Sequence, residues 1–270
     1  MKIGKHTQPL QSICTSNPET IIVRGQDLVS DLLGEITFTA YTWLLVSGEL
    51  PTERQRRMLD ATLVAIAEHG LVPSVQAARM TLAASPEAMQ GAVAAGLLGC
   101  GSVILGAAEV AGHFLHEIVE ERRNSGQSLE AAAEKTVRAY QDRKQAIPGY
   151  GHPLHKGLDP RAARLLEIAR ELDIAGPYCE TAMLVEALIP GIFGKSLVLN
   201  VSGAIPSVLL DAGYPLLALK GVPLLARTAG LIAHLLEERS RPVGFILSHA
   251  AAQAVTYDGP VPDGFVPQES

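Results

Sequence analysis

The 270-residue chain is poor in aromatics, at 4%, and in charge, with Asp, Glu, Lys and Arg together at 19%. Its three cysteines, Cys14, Cys100 and Cys179, lie far apart with no CxxC pair, which supports neither a disulfide framework nor a zinc ribbon. Positive charge is not in excess either. A net charge of −6 argues against a broad grip on nucleic acid, so anionic ligands have to be held by a few placed cations. No GxGxxG, Walker loop, GxSxG or zincin motif occurs. The opening MKIGKHTQPLQS lacks the apolar run of a signal peptide and reads as a polar lead-in. The uncharged run from Gly91 to Ala108 contains five glycines and is followed at once by Glu109, which fits a closely packed core helix better than a bilayer span. These absences exclude secreted, nucleic-acid-binding and membrane classes and leave a cytoplasmic protein that handles small anions.

What is present is aliphatic. Hydrophobic residues make up 47% of the chain, enough for one large core or two modest ones. Their spacing is helical nearly throughout. Leu28, Leu32 and Leu33 share a face after Arg24-Gly25, and Phe38, Tyr41, Leu44 and Leu45 form another, ended by Gly48. Thr52 caps a helix through Leu59, Leu63 and Ile66, with Gly70 as its stop. Ala77–Ala84 continues helical, and Ser85-Pro86-Glu87 starts the Ala/Gly-rich helix. Ser128 caps a helix to about Arg143. Asp159-Pro160 opens one closed by Gly176-Pro177, and two more follow around 180–187 and 203–212. The last runs from about Leu224 to Glu238, where Arg241-Pro242 breaks it. No strand, repeat or linker is evident, so the fold class expected is all-α.

Chemistry concentrates in one loop. Residues 146–153 hold two prolines and two glycines and predict a fixed loop carrying His152. Arg161, in the first turn of the next helix, places a planar cation beside a helix N-terminus, which suits a carboxylate. From these residues alone, a loop histidine that merely caps a neighbouring helix is an equal alternative. His113 and His116, with Glu117 and Glu120, have a spacing that could hold a metal, but lacking a further ligand they read as a solvated helix face. Arg122-Arg123 and Glu237-Glu238-Arg239 read as helix-surface charges. No metal site is expected.

The stretch GYGHPLHKGLDPRA resembles the GHxxxxxxDPR signature of the citrate synthase family, with the same spacing from His152 to Arg161. Three further patterns in the same order are similar to that family: Arg24-Gly25 with Gly48–Thr52, Glu68-His69-Gly70 with Pro73-Ser74 and Arg79, and Arg227–Gly230 through His234 and Glu237. The short length is more like free-standing citryl-CoA lyases, or the lyase module of ATP-citrate lyase. The resemblance implies a two-fold dimer of helical subunits. In each, a large domain of residues 1–106 and 212–270 and a small domain of residues 107–211 enclose the active site. It implies His152, Ser202 and His69 as catalytic positions, and Arg161, Arg227, Ser74 and Arg79 as substrate-binding. Lys156 and Lys195 could meet the phosphates of CoA, which enters as part of the substrate; no tightly bound cofactor is implied.

Such a site would cleave citryl-CoA to acetyl-CoA and oxaloacetate. That reaction must accept a hydroxyl proton, stabilise an enolate and protonate carbon. Two positions depart from the family pattern. Ile104 falls where citrate synthases have the histidine of an LHGGA segment, as also happens in the ATP-citrate lyase module. Ser202 falls where an NVD segment supplies the proton-transferring aspartate, and a serine has no carboxylate to exchange with the acetyl carbon. Asp211, nine residues on, is not expected to substitute. The alternatives are therefore a carbon–carbon lyase or Claisen enzyme for another hydroxyacyl-CoA, or a catalytically silent CoA- or dicarboxylate-binding homologue.

Overall fold

The computed structural model describes residues 9–101, 106–151 and 157–265. Among the described residues eleven α-helices dominate: α1 Phe38–Ser47, α2 Glu53–Ala67, α3 Pro73–Ala84, α4 Met89–Leu98, α5 Gly106–Ser125, α6 Leu129–Asp142, α7 Pro160–Glu171, α8 Pro177–Phe193, α9 Val201–Asp211, α10 Gly221–Ser240 and α11 Gly244–Ala254. The all-α expectation holds for the architecture. The detail it missed is a small antiparallel sheet near the N-terminus, of β1 Cys14–Ser16, β2 Ile21–Val23 and β3 Gln26–Asp27. Strands of two or three residues are too short to show an alternating pattern. The helix expected through Leu28 is a five-residue π-helical turn, Leu28–Leu32, capped by Asp27.

The helix starts read from the sequence follow from local capping. Thr52 and Gln55 exchange bonds at the head of α2: the Thr52 amide donates to Gln55 Oε1 at 2.8 Å, and the Gln55 amide to Thr52 Oγ1 at 3.3 Å. Ser128 accepts the Ala131 amide ahead of α6, and Asp159 accepts the Arg161 amide ahead of α7. Gly48 ends α1 in the left-handed region at φ 90°, which glycine adopts without strain. The expected Ala/Gly-rich helix is α4, which ends at Leu98; residues 102–105, Ile104 among them, lie outside the described residues.

The chain forms two compact units, residues 1–65 with 106–222, and residues 66–105 with 223–270. This division by compactness differs from the expected domains, because residues 1–65 fall with the helices after 106. In the first unit α9 packs on α5, α7 and α8. Phe114, Leu165, Ile189 and Leu209 are fully buried at its centre, and Phe114 meets Tyr140 edge-on at 5.1 Å. In the second unit α3 packs on α4 and α11. Val75, Ala78, Leu82 and Ala92 close a core with Leu231 and Leu235 of α10. Gly96 permits that approach: a Cβ there would sit 2.7 Å from Leu231 Cδ2. Among the described residues one helical stretch, Leu216–Ser240, is long and apolar enough to cross a bilayer by length and composition alone.

One expected surface charge is corrected. Glu238 is only 4% exposed, and its carboxylate accepts Arg79 Nε at 2.6 Å and the amides of Val243 and Gly244 at 3.0 and 2.8 Å. Glu237 also takes Arg79, at 2.9 Å. These amides begin α11, a helix the sequence reading missed because its cap comes from a side chain of the preceding helix. Burial pushes the Glu238 carboxyl up, but the Gly244 and Val243 amides and then Arg79 outweigh it and hold it below the ordinary glutamate range. With a depressed folded value, its contribution is full above the unfolded value of about 4.3 and is lost as pH falls through the folded value. Glu238→Gln should flatten the acid limb of the stability curve. Arg79→Met, which leaves a buried carboxylate without its partner, should cost about 3–5 kcal/mol in urea unfolding.

Candidate active site

In the first unit the expected loop is seated on the head of α9. Tyr150 pairs with Leu199 in an antiparallel bridge. The Gly151 amide donates to Val198 O at 2.7 Å, and the Asn200 amide to Gly149 O at 2.9 Å. Gly149, at φ 87°, lies so close to α9 that a Cβ on it would come 2.7 Å from Gly203 Cα. Only a pair of glycines allows this approach. Tyr150 is buried and donates its hydroxyl to Ala182 O at 2.7 Å; burial, with Glu186 nearby, pushes its phenol well up. His152 and Lys156 lie outside the described residues, one and five positions beyond Gly151.

Asp159 joins this loop to two helices. Fully buried, it caps α7, holds Arg161 with both oxygens at 3.1 and 3.0 Å, and accepts the Val201 amide of α9 at 3.0 Å. Burial would raise its carboxyl, but the Arg161 hydrogen bond, the Val201 amide and the guanidinium charge prevail and hold it below the usual range. Asn200 caps α9 by accepting the Ser202 amide at 2.9 Å, and its amide group donates to Gly151 O at 2.7 Å. Thus Arg161 and Ser202 come together through Asp159, Val201 and Asn200. Ser202 is half-buried in the first turn of α9. The nearby acids have other duties. Asp211 accepts the amides of Gly176, Tyr178 and Cys179 at the head of α8, and Glu186 accepts that of Leu199. Asp211 is thus engaged in capping α8.

The second unit holds His69, Ser74, Arg79 and Arg227. His69 is exposed, just beyond the end of α2. Ser74 is fully buried in α3, and its Oγ has no hydrogen-bond partner. Arg227, on α10, is 7% exposed, and its Nε and Nη1 also have none. An uncompensated buried guanidinium is costly, and a carboxylate that completes it recovers that cost. Arg79 is different. Its guanidinium is buried on Glu238, Glu237 and the Arg241 carbonyl, which gives it a structural role at the start of α11.

Lys195 is exposed beyond α8. His116 is engaged with the Tyr178 hydroxyl at 2.8 Å, His113 is exposed, and no metal-binding cluster occurs among the described residues. Sequence reasoning missed the bridging role of Asp159, which it read only as a cap, and the anchoring role of Asn200. An Asn directly before a predicted helix was the available signal for the second.

This arrangement defines an all-α protein with a buried arginine, two of whose nitrogens have no hydrogen-bond partner among the described residues. The chain matches the citrate synthase C-terminal domain over residues 52–244 and belongs to that family. It is 27% identical to the citrate synthase of Heyndrickxia coagulans over 219 residues, 76% of this chain and 53% of that one. It is also 27% identical to citrate synthase 2 of Bacillus subtilis over 227 residues, 83% and 56% of the two chains. The chain thus spans about half the length of the curated relatives it matches. The solved citryl-CoA lyase of Hydrogenobacter thermophilus is 36% identical, with a TM-score of 0.83, covering 96% of this chain and 97% of that one. The ATP citrate lyase of Methanosaeta concilii, solved with (3S)-citryl-CoA, shares the fold at TM-score 0.74 and 23% identity, over 96% of this chain and 43% of its own.

Arg227 makes a prediction that separates stability from binding. Arg227→Met should be at least as stable as the wild type without ligand, because it removes an unpaired buried charge. It should also lose the rise in Tm that citrate gives the wild type. Thermal unfolding with and without citrate measures both.

Proposed function

We propose that this protein is a carbon–carbon lyase that cleaves citryl-CoA to acetyl-CoA and oxaloacetate. The observation that carries the reading is the buried Arg227 guanidinium with two unpaired nitrogens, a site built for a carboxylate. Its choice as a lyase over a synthase is supported by likeness: the chain is 36% identical to a citryl-CoA lyase at a TM-score of 0.83, against 27% to the citrate synthases.

Arg227 and Arg161 hold carboxylates of the oxaloacetate half, with Ser74 supporting Arg227. Asp159 fixes the Arg161 fork, so the orientation of that cation is set before substrate binds. His152 takes the proton from the tertiary hydroxyl as the carbon–carbon bond breaks, and His69 holds the same half of the substrate. The electron pair passes to the thioester enolate, which is protonated at carbon to give acetyl-CoA. Ser202 would deliver that proton through water, since its own hydroxyl is too weak an acid. Lys156 and Lys195 meet the phosphates of CoA. The working form is a homodimer in the cytoplasm, with residues 107–211 as the small domain.

Ser202 favours a second reading, in which the same residues bind an acyl-CoA or a dicarboxylate without cleaving citryl-CoA. The neighbouring acids that are engaged elsewhere, Asp159, Asp211 and Glu186, support it. Purified protein with citryl-CoA, coupled to malate dehydrogenase, decides between the two. Oxaloacetate release that His152→Ala abolishes establishes the lyase. Citrate or CoA binding with no oxaloacetate sinks the lyase and leaves the binding role. Ser202→Asp should raise turnover at least about tenfold if a carboxylate there is what limits protonation.

A further inference from the structure

Helix α2 ends at Ala67, and the chain turns through Glu68, His69 and Gly70 before α3. The Glu68 carboxylate folds back over this turn. Its Oε1 accepts the His69 amide at 2.8 Å and the Gly70 amide, while its Oε2 lies 2.9 Å from Nε2 of His234 on α10. That last contact is in ion-pair range but is not aligned as a hydrogen bond. One turn earlier on α10, Gly230 receives the Ala67 carbonyl, and any Cβ on Gly230 would overlap that oxygen. Arg227, Gly230 and His234 are spaced three and four residues apart and so share one face of the helix. The turn that carries His69 and the unpaired guanidinium of Arg227 are thereby referenced to the same stripe of α10.

The chemistry of the Glu68–His234 contact suits local rather than global work. The Glu68 side chain is half exposed, and an exposed ion pair contributes little to overall stability. His234 Nδ1 is buried without a partner, which is unfavourable for folding. What the contact accomplishes is to occupy two turn amides that would otherwise be free and to fasten the turn to α10. Burial works against the Glu68 charge, but His234 and the Gly70 and His69 amides outweigh it, so the carboxylate stays ionised.

We propose that Glu68 and His234 are positioning residues, which hold the 68–70 turn and through it the His69 imidazole at a set distance from Arg227. This rests on the reading of His69 and Arg227 as holders of a carboxylate substrate. Its test is a thermodynamic cycle of Glu68→Gln, His69→Ala and the double variant, with citrate affinity measured by calorimetry on the full chain. Amide exchange at His69 and Gly70, and urea unfolding, are followed in parallel.

The expected result is that Glu68→Gln weakens citrate binding about tenfold in the wild-type background and has no further effect once His69 is alanine. Exchange at amides 69 and 70 should accelerate at least about tenfold while the urea midpoint barely moves. His234→Ala should reproduce both effects, and His234→Gln, which keeps a donor, should restore part of the loss. Additive losses across the cycle, or unchanged exchange at the two amides, overturn the proposal. If the wild type does not bind citrate at all, it is the substrate reading that fails. The exchange arm then decides alone whether Glu68 and His234 hold the turn.

Discussion

Asp159 is the interaction on which the first unit depends. A carboxylate excluded from water survives as an anion only if donors surround it. Here they come from three places: the head of α7, the Arg161 fork and the Val201 amide of α9. One buried charge therefore fixes two helices and a cation together. Because α9 also seats the Gly149–Gly151 strand, the loop that leads to His152 is placed by the same group. Rigidity at this point is what a site needs that must orient a carboxylate before any bond is broken.

The second unit uses the opposite electrostatic strategy at two places on one helix. Near its C-terminal end, α10 offers Glu238 to Arg79 and to the amides of α11, so the buried charges of that pair are neutralised within the protein. Near its middle it buries Arg227 with two nitrogens unpaired. Both guanidiniums are buried to a similar degree, yet only the second retains unused donors. The contrast separates a fully engaged arginine from one with unused donors, and exposure alone would not have distinguished them.

The family match covers most of the chain, and the citryl-CoA lyase structure shares the fold over 96% of it. Of the two positions that depart from the resembled family pattern, Ser202 is the one among the described residues. It keeps the helix position and its Asn200 cap, so the backbone frame is intact while the carboxylate is gone.

Local rules made much of this protein legible in its sequence. Helical periodicity, the caps Thr52, Ser128 and Asp159 and the stop at Gly48 depend only on neighbours within a turn or two, so one strand of letters contains them. The ordered motifs around His69, His152, Arg161 and Arg227 were readable for the same reason. Tertiary structure alone decided which charges are structural. Arg79 and Glu238 are 159 residues apart, and nothing near either one reveals the pairing that buries both and caps α11. It also decided that Asp159 reaches Val201 across 42 residues and that Gly230 must admit a carbonyl. A side chain's local sequence sets what it can bond to, but burial sets whether it must, and burial is a property of the folded whole.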